Sequence, residues 1–163
     1  MLIVNLLTKS SKKRSVGLSL IFLLLSHLVY AKNHTPDLPI GLWKIMDTIT
    51  HQPRAVVQLS QAKDKMLSGR ILKIYSPYLK QPLCTACIGP LHNKPLIGMT
   101  IIKKLKQSTI ISAEWQDGEI LDPHNGQIYH CHLNVVKKGQ QLNVREYISL
   151  PLFGRKEIWL KIL

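Results

Sequence analysis

The stretch that decides the fold is residues 115–159, which read WQDGEILDPHNGQIYHCHLNVVKKGQQLNVREYISLPLFGRKEIW. Short segments within it alternate apolar and polar side chains, and turn-forming residues separate them. In the segment from Gly126 to Val136, the apolar face consists of Tyr129, Cys131, Leu133 and Val135. The opposite face consists of His130, His132 and Asn134. This alternation predicts a strand with one face in a core and the other in solvent.

The same alternation recurs through the chain after residue 32, where no sustained helical period occurs. It predicts further strands at 41–47, 54–60, 66–75, 98–104, 109–115, 142–147 and 156–162, with a bulge at Gly69. Turns are expected at 64–65, 117–118, 122–126, 138–139 and 151–154. About eight or more short strands form a sandwich or an up-and-down barrel, and closure removes the exposed edges. We therefore predict an all-β, antiparallel up-and-down β-barrel.

Both ends of this strand series favour a lipocalin-like (calycin) barrel. Gly41-x-Trp43 opens the first strand, and Arg155 and Lys161 flank Trp159 on the last. The pattern resembles lipocalin-like barrels, in which a Gly-x-Trp packs beneath a basic side chain from near the C-terminus. A barrel of eight strands either fills with side chains or holds one small ligand.

Residues 1–31 have the pattern of a cleavable signal peptide. A basic cluster precedes an apolar run from Val16 to Tyr30, and Ala31 supplies a small residue at the cleavage point. The run is about 15 residues, shorter than the roughly 20 that span a bilayer. We expect a flexible lead over 32–39 and a single β-barrel domain over 40–163. The protein is thus expected to be exported, to the periplasm or out of the cell, with no transmembrane segment in the mature chain.

The charge of the exported part is strongly positive. Four of the 22 Lys and Arg residues precede residue 32, which leaves 18 basic against 9 acidic side chains, or +9. Such a surface attracts polyanions, so an anionic envelope surface is one expected partner. The scattered lysines fit equally well a basic solvated surface with no partner. Export argues against nucleic acid.

Three cysteines allow three chemistries. Cys84 and Cys87 form a Cys-x-x-Cys in a proline-bounded loop, and Cys131 lies in a predicted strand. Outside the cytoplasm a disulfide is the default, and one loop cysteine paired with Cys131 would pin the loop to the barrel. A Cys84–Cys87 bond is the second alternative. The third is a metal held by the three thiolates, with His92 or His132 as fourth ligand.

No known catalytic motif stands out in the sequence, so an enzyme is the least supported reading. Asp122 follows three other acidic residues, which could suggest a carboxylate pair. The sequence Asp122-Pro123-His124-Asn125-Gly126 is more typical of a turn. No cofactor is indicated.

Taken together, several short motifs resemble those of bacterial secreted proteins grouped as domain of unknown function 2147. The shared pieces are Gly41-Leu42-Trp43, Cys84-x-x-Cys87-x-Gly89, Asn93-Lys94-Pro95, Gly98, Gly118-x-Ile120-x-Asp122-Pro123-x-Asn125-Gly126-x-x-Tyr129-x-Cys131, Val144-Arg145, Tyr147, Gly154-Arg155 and Trp159. The chain departs from the family pattern at Glu146, Ser149 and Lys156. The resemblance implies a calycin-type β-barrel and no established activity.

We expect a small exported barrel that binds an apolar or amphipathic ligand in the cell envelope. The pocket candidates are Trp43, Trp115, Tyr129, Arg145 and Arg155, with the two arginines facing an anionic head group. Residues expected to act through turns or packing are Gly41, Asp122, Pro123, Asn125, Gly126, Gly154 and Trp159. The alternatives are a metal- or redox-linked thiol protein and a structural or interaction protein with a filled barrel.

Overall fold

Eight antiparallel strands form a closed barrel in a computed structural model that describes residues 38–75 and 82–162. Each strand pairs with its neighbours in sequence, and the last pairs with the first. The strands are β1 (Gly41–Met46), β2 (Pro53–Gln61), β3 (Leu67–Ile74), β4 (Thr100–Gln107), β5 (Glu114–Asp122), β6 (Gln127–Val136), β7 (Gln141–Tyr147) and β8 (Arg155–Ile162). The predicted up-and-down barrel is confirmed.

The predicted signal peptide and most of the predicted lead lie outside the described residues. Within the described part of the chain, no helix is long and apolar enough to cross a membrane. The described helices are two single 3₁₀ turns, Gly89–Leu91 and Pro151–Phe153.

The fifth strand differs from the sequence prediction. We predicted a strand at 109–115 and a turn at 117–118, but β5 begins only at Glu114 and continues through both turn residues. Asp117 has a φ of 58°, and the β5–β6 register shifts between Trp115 and Gly118. Turns and bulges both use left-handed backbone, so the Asp-Gly pair marks a bulge here. The turn lies earlier, where Ser108 Oγ accepts hydrogen bonds from two following backbone amides.

At two interior glycines, side chains from the neighbouring strands pack directly against the backbone. A Cβ on Gly118 would collide with the Leu105 side chain, and one on Gly69 would lie 2.9 Å from Leu59 Cδ2 and 3.0 Å from Ile102 Cβ. The β3–β4 register shifts on both sides of Gly69, so the predicted bulge is confirmed. The strand interior therefore has space only for hydrogen at these positions.

Residues 38–40, just before β1, cover one end of the barrel, which we call the closed end. Trp43 is fully buried, and its indole Nε1 donates a hydrogen bond of 2.7 Å to the Pro39 carbonyl. Lys161 Nζ lies 5.0 Å from the centre of the Trp43 indole and donates to the Ile40 carbonyl at 3.2 Å. Of the two basic residues that flank Trp159, Lys161 therefore makes the closing contact. Arg155 lies at the other end.

The up-and-down topology places alternate connections at opposite ends. The β2–β3, β4–β5 and β6–β7 turns share the closed end with the lead. The β1–β2, β3–β4, β5–β6 and β7–β8 connections lie at the other end, which we call the open end. Fully buried Trp115 helps to fill the barrel interior, and its Nε1 finds no hydrogen-bond partner among the described residues.

We predict that Gly118→Ala destabilises the protein by about 1–3 kcal/mol, because the added methyl overpacks the interior against Leu105. Chemical denaturation of the single variants and of Gly118→Ala combined with Leu105→Ala measures the effect. Leu105→Ala removes the colliding atoms, so the double variant should be more stable than the sum of the two single losses implies. Strict additivity would contradict the steric account.

Candidate functional site

A cavity of about 430 Å³ lies inside the open end of the barrel. Its volume falls within the range of roughly 300–1,000 Å³ that is typical of small-molecule sites. The apolar lining includes Ile45, Ala55, Ile71, Ile74, Leu96, Ile101, Ile120 and Trp159. The polar lining includes Asp47, Arg54, Asp122, His124, Glu146, Arg155 and Glu157. The cavity thus combines an apolar wall with several charged groups.

Three buried carboxylates share one guanidinium at this cavity, and we call them the carboxylate cluster: Asp122, Glu146 and Glu157. Arg155 Nη2 lies 3.0 Å from Asp122 Oδ2, 2.6 Å from Glu146 Oε2 and 3.9 Å from Glu157 Oε1. Arg54 Nη1 lies 3.4 Å from Glu157 Oε1. The carboxylate side chains are only 5–8% exposed, whereas the two arginines are about half exposed.

Strand register explains why these groups meet. Glu146 on β7 is the direct partner of Arg155 on β8, and Glu157 follows two residues later. Glu146 also lies opposite Cys131 on β6, whose side chain is fully buried. Asp122 ends β5 at the same end of the barrel. Four strands therefore deliver the cluster and the thiol beside it.

Further hydrogen bonds hold two of the carboxylates in place. Asp122 Oδ1 accepts from the His124 backbone amide at 2.9 Å, while the Asp122 carbonyl accepts from the Gly126 amide at 2.9 Å. The 122–126 segment thus forms a turn and also presents a carboxylate to the cavity. Glu157 Oε2 accepts from the Trp159 indole Nε1 at 3.2 Å. The cluster is therefore built into the scaffold.

Burial and neighbouring charges perturb the titration of Glu146 and Arg155. Burial, followed by the charge of Glu157, raises the pKa of Glu146, and Arg155 only partly offsets this rise. Burial by itself would lower the pKa of Arg155, but its hydrogen bond to Glu146 and the other carboxylates raise it above the ordinary value. Arg155 therefore stays charged, and when all groups ionise the three carboxylates outnumber the two arginines.

The cysteines pair within the loop. Cys84 and Cys87 form a disulfide with a Cα–Cα distance of 5.3 Å, and Cys131 is free and buried. The expected link from the loop to Cys131 is therefore wrong, because Cys131 faces the barrel interior on β6. Burial, followed by the charges of Glu146 and Glu157, raises the pKa of the Cys131 thiol far above its ordinary value. A reactive set of three thiols is not assembled.

The disulfide loop packs onto the turn that carries Asp122. Cys84 Sγ lies 3.8 Å from the Pro123 carbonyl oxygen. A Cβ on Gly126 would collide with the Ala86 carbonyl, and Gly126 has a φ of 72°. His92 Nδ1 donates to the Cys87 carbonyl at 2.9 Å, which further orders the loop. The loop therefore acts as a support for the β5–β6 turn.

The metal hypothesis finds no ligand set. Across residues 38–75 and 82–162, no three His, Cys, Asp or Glu side chains come together in a way that could hold a metal ion. His92 Nε2 accepts from Asn93 at 3.0 Å, and His132 lies 3.9 Å from Glu114, away from the disulfide. The strand alternation explains this, because it separates the outward histidines from the inward cysteine.

The predicted pocket residues divide into two groups. Arg155 lines the cavity, and Tyr129 borders a smaller one beside Glu146 and Arg155. Trp43 and Trp115 do not line the main cavity; Trp159, predicted only as a packing residue, does. Arg145 points away, with its Nη1 donating to the Pro151 carbonyl at 2.7 Å. The two arginines thus do not form a joint anion site.

Sequence reasoning missed Glu146, Glu157 and Arg54. A signal was present, because Glu146 continues the buried alternation of Leu142 and Val144 on β7. Glu157 likewise shares the inward face of β8 with Trp159. A charged residue at an inward position of a barrel strand points to a buried polar site.

We predict that the protein, purified without reductant, has a mass two hydrogens below that of the reduced chain. Alkylation of the folded protein should leave Cys131 unmodified, because its side chain is buried and its thiol remains protonated. After denaturation one thiol should react. A disulfide-linked peptide containing Cys131 would contradict the pairing.

We predict that Arg155→Met destabilises the protein by more than the roughly 1 kcal/mol of an exposed pair. The loss should stay below the roughly 3–5 kcal/mol of a fully buried one, because Arg155 is half exposed. Burial already raises the pKa of Glu146, and without Arg155 this pKa rises further, so the variant loses stability as the pH rises from the unfolded-state pKa toward the folded-state pKa. The difference in stability between the variant and the wild type should therefore widen from about pH 4 to about pH 7.

Urea denaturation at several pH values tests this prediction. The control is Lys104→Met, which removes the exposed Lys104–Glu119 pair. Equal losses in both variants would contradict a buried cluster.

Comparisons with known proteins agree with this architecture. Residues 41–161 match the model of a family described as an uncharacterized protein conserved in bacteria (DUF2147). No curated protein matches the chain. Among solved structures, protein HP1028 from the human pathogen Helicobacter pylori, described as belonging to the lipocalin family, matches with a TM-score of 0.66 and 12% identity, over 77% of this chain and 84% of that chain. At this identity the likeness shows the fold alone.

The family match covers the barrel from its first strand to its last, including the Gly-x-Trp, the disulfide loop and Arg155. It also confirms the resemblance drawn from the motifs. The chain therefore belongs to the DUF2147 family of bacterial proteins, and its fold is a lipocalin-like barrel.

Proposed function

We propose that the protein binds a small amphipathic ligand in the open-end cavity, within the cell envelope. The observation that carries this proposal is the cavity of about 430 Å³, whose wall is apolar and whose polar lining includes the buried carboxylate cluster. The apolar part of the ligand would pack against side chains such as Ile71 and Trp159. Its polar group would meet the carboxylates.

The carboxylate cluster is costly if its only role is to hold the barrel together. A buried charged network is often no more stable than apolar side chains of similar volume. A filled barrel would be expected to use apolar residues at these inward positions, as it does at Leu142 and Val144. The charges of Glu146 and Glu157, buried beside a cavity, favour a binding role over a purely structural one.

The charges of the lining indicate which polar group fits. Arg155 already contacts all three carboxylates, and Arg145 is turned away from the cavity. Arg155 is therefore not free to bind the anionic head group that was expected from the sequence. A group that donates hydrogen bonds or carries positive charge complements the cluster better, so we infer an amine-bearing amphiphile.

The signal-like N-terminal sequence supports the envelope as the place of action. Residues 1–31 have the composition of a signal peptide, and an apolar or amphipathic ligand suits a compartment bounded by membranes. The Cys84–Cys87 disulfide is in keeping with an oxidising compartment.

Octylamine, octanol and octanoic acid have similar apolar tails and different polar groups, so they test both parts of the proposal. Isothermal titration calorimetry should give affinities in the order amine, alcohol, acid. Glu146→Gln should weaken octylamine binding by about tenfold, or roughly 1.4 kcal/mol, while leaving octanol unchanged. Ala55→Phe, which fills the cavity, should weaken all three.

Glu119→Gln is the matched control. It removes the same charge from the outer wall, where Glu119 pairs with Lys104 at 2.9 Å, outside the cavity. Octylamine affinity should be unaffected by this change. Octanoic acid binding most tightly would overturn the inferred amine, and affinities insensitive to Ala55→Phe would overturn the cavity as the binding site.

A further inference from the structure

The loops at the open end carry a group of exposed apolar side chains. In the β7–β8 loop, four large apolar residues are 58–81% exposed: Ile148, Leu150, Leu152 and Phe153. Ile49 in the β1–β2 loop is 87% exposed, and Ile88 beside the disulfide is 83% exposed. We call these six side chains the apolar rim: Ile49, Ile88, Ile148, Leu150, Leu152 and Phe153. The cavity does not account for them, because none of the six lines it.

The β7–β8 loop is held in shape by its own contacts. Residues 151–153 form a 3₁₀ turn, and Arg145 Nη1 donates to the Pro151 carbonyl at 2.7 Å. A Cβ on Gly154 would lie 2.5 Å from the Glu146 carbonyl, so the chain passes close over β7 at this point. The exposed side chains are therefore presented by an ordered turn.

The barrel topology places the whole apolar rim at one end. The β1–β2, β3–β4 and β7–β8 connections all lie at the open end, around the mouth of the cavity. At the closed end, the exposed large apolar residues of the described chain are Ile110 and Ile111 in the β4–β5 turn and Leu38 and Ile40 before β1. Except for Ile110, the described large apolar side chains that are more than half exposed lie toward the mouth.

Charge around the rim is sorted between inside and outside. The acidic side chains Asp122, Glu146 and Glu157 are buried within the cavity lining. Lys73, Lys94 and Lys156 lie near the same end and are exposed. A surface approaching the mouth would therefore meet apolar side chains, lysines and the partly exposed Asp47, while Asp122, Glu146 and Glu157 stay inside the barrel.

We propose that the apolar rim docks the barrel, mouth first, onto an anionic lipid bilayer. Exposed apolar side chains bordered by lysines suit the boundary between head groups and acyl chains. The negative surface potential of an anionic membrane attracts exposed lysines. The six side chains of the rim lie on three separate loops, which suits a fluid surface. The orientation places the cavity mouth against the membrane, and the proposal does not depend on which ligand the cavity holds.

Vesicle co-sedimentation of the purified protein tests the docking. We expect binding to phosphatidylcholine vesicles that contain phosphatidylglycerol, weaker binding to phosphatidylcholine alone, and a further loss at high salt. Leu150→Ser combined with Leu152→Ser should reduce partitioning at least about tenfold, because two aliphatic side chains would no longer be buried among the acyl chains. Ile110→Ser combined with Ile111→Ser, at the closed end, should bind as the wild type does.

Several outcomes would overturn the proposal. Equal binding by the rim variant and the wild type would show that charge or another segment holds the protein on the vesicle. Equal losses in the two variants would remove the bias toward the mouth. A rim that self-associates in solution, with the Leu150/Leu152 variant alone becoming monomeric, would assign it to a second copy of the chain. Octylamine titration of the rim variant separates the two proposals, because neither leucine lines the cavity.

Discussion

Closure of β8 onto β1 is the constraint on which the rest of the molecule depends. Their register, from Leu42 opposite Ile162 to Ile45 opposite Trp159, turns a meander into a barrel with an inside. It removes the open strand edges and brings Lys161 over the Trp43 indole, so one end is covered. Every inward side chain, apolar or charged, is buried as a consequence of this closure.

The carboxylate cluster follows from the same closure. Arg155 and Glu157 lie on β8, Glu146 lies on β7, and Arg54 lies on β2. The carboxylate cluster and its two arginines therefore connect strands from both ends of the barrel sequence. The disulfide loop supports the turn that supplies Asp122. The molecule therefore has a packed closed end and a charged open end. The cavity and the apolar rim both belong to the open end.

The strands were largely predictable because inward and outward positions alternate along them. The interior face of β6, with Cys131, Leu133 and Val135, is as predicted, and so is the bulge at Gly69. The start of β5 was not, because Asp117-Gly118 satisfies the backbone needs of a turn and of a bulge equally well. Only pairing with β6 decides between them. The site was harder to predict from the sequence. Trp43 and Trp115 are residue types that often line pockets, yet here they fill the barrel interior outside the cavity.

The class of fold, the family and the inward face of most strands follow from local periodicity and short motifs, so they could be predicted from the residues alone. The tertiary structure decided which cysteines pair, which tryptophan lines the cavity and which acids share Arg155. Those outcomes depend on strand register and on distances between residues as far apart as Arg54 and Glu157. Local patterning does not encode such distances, because closure of the barrel sets them.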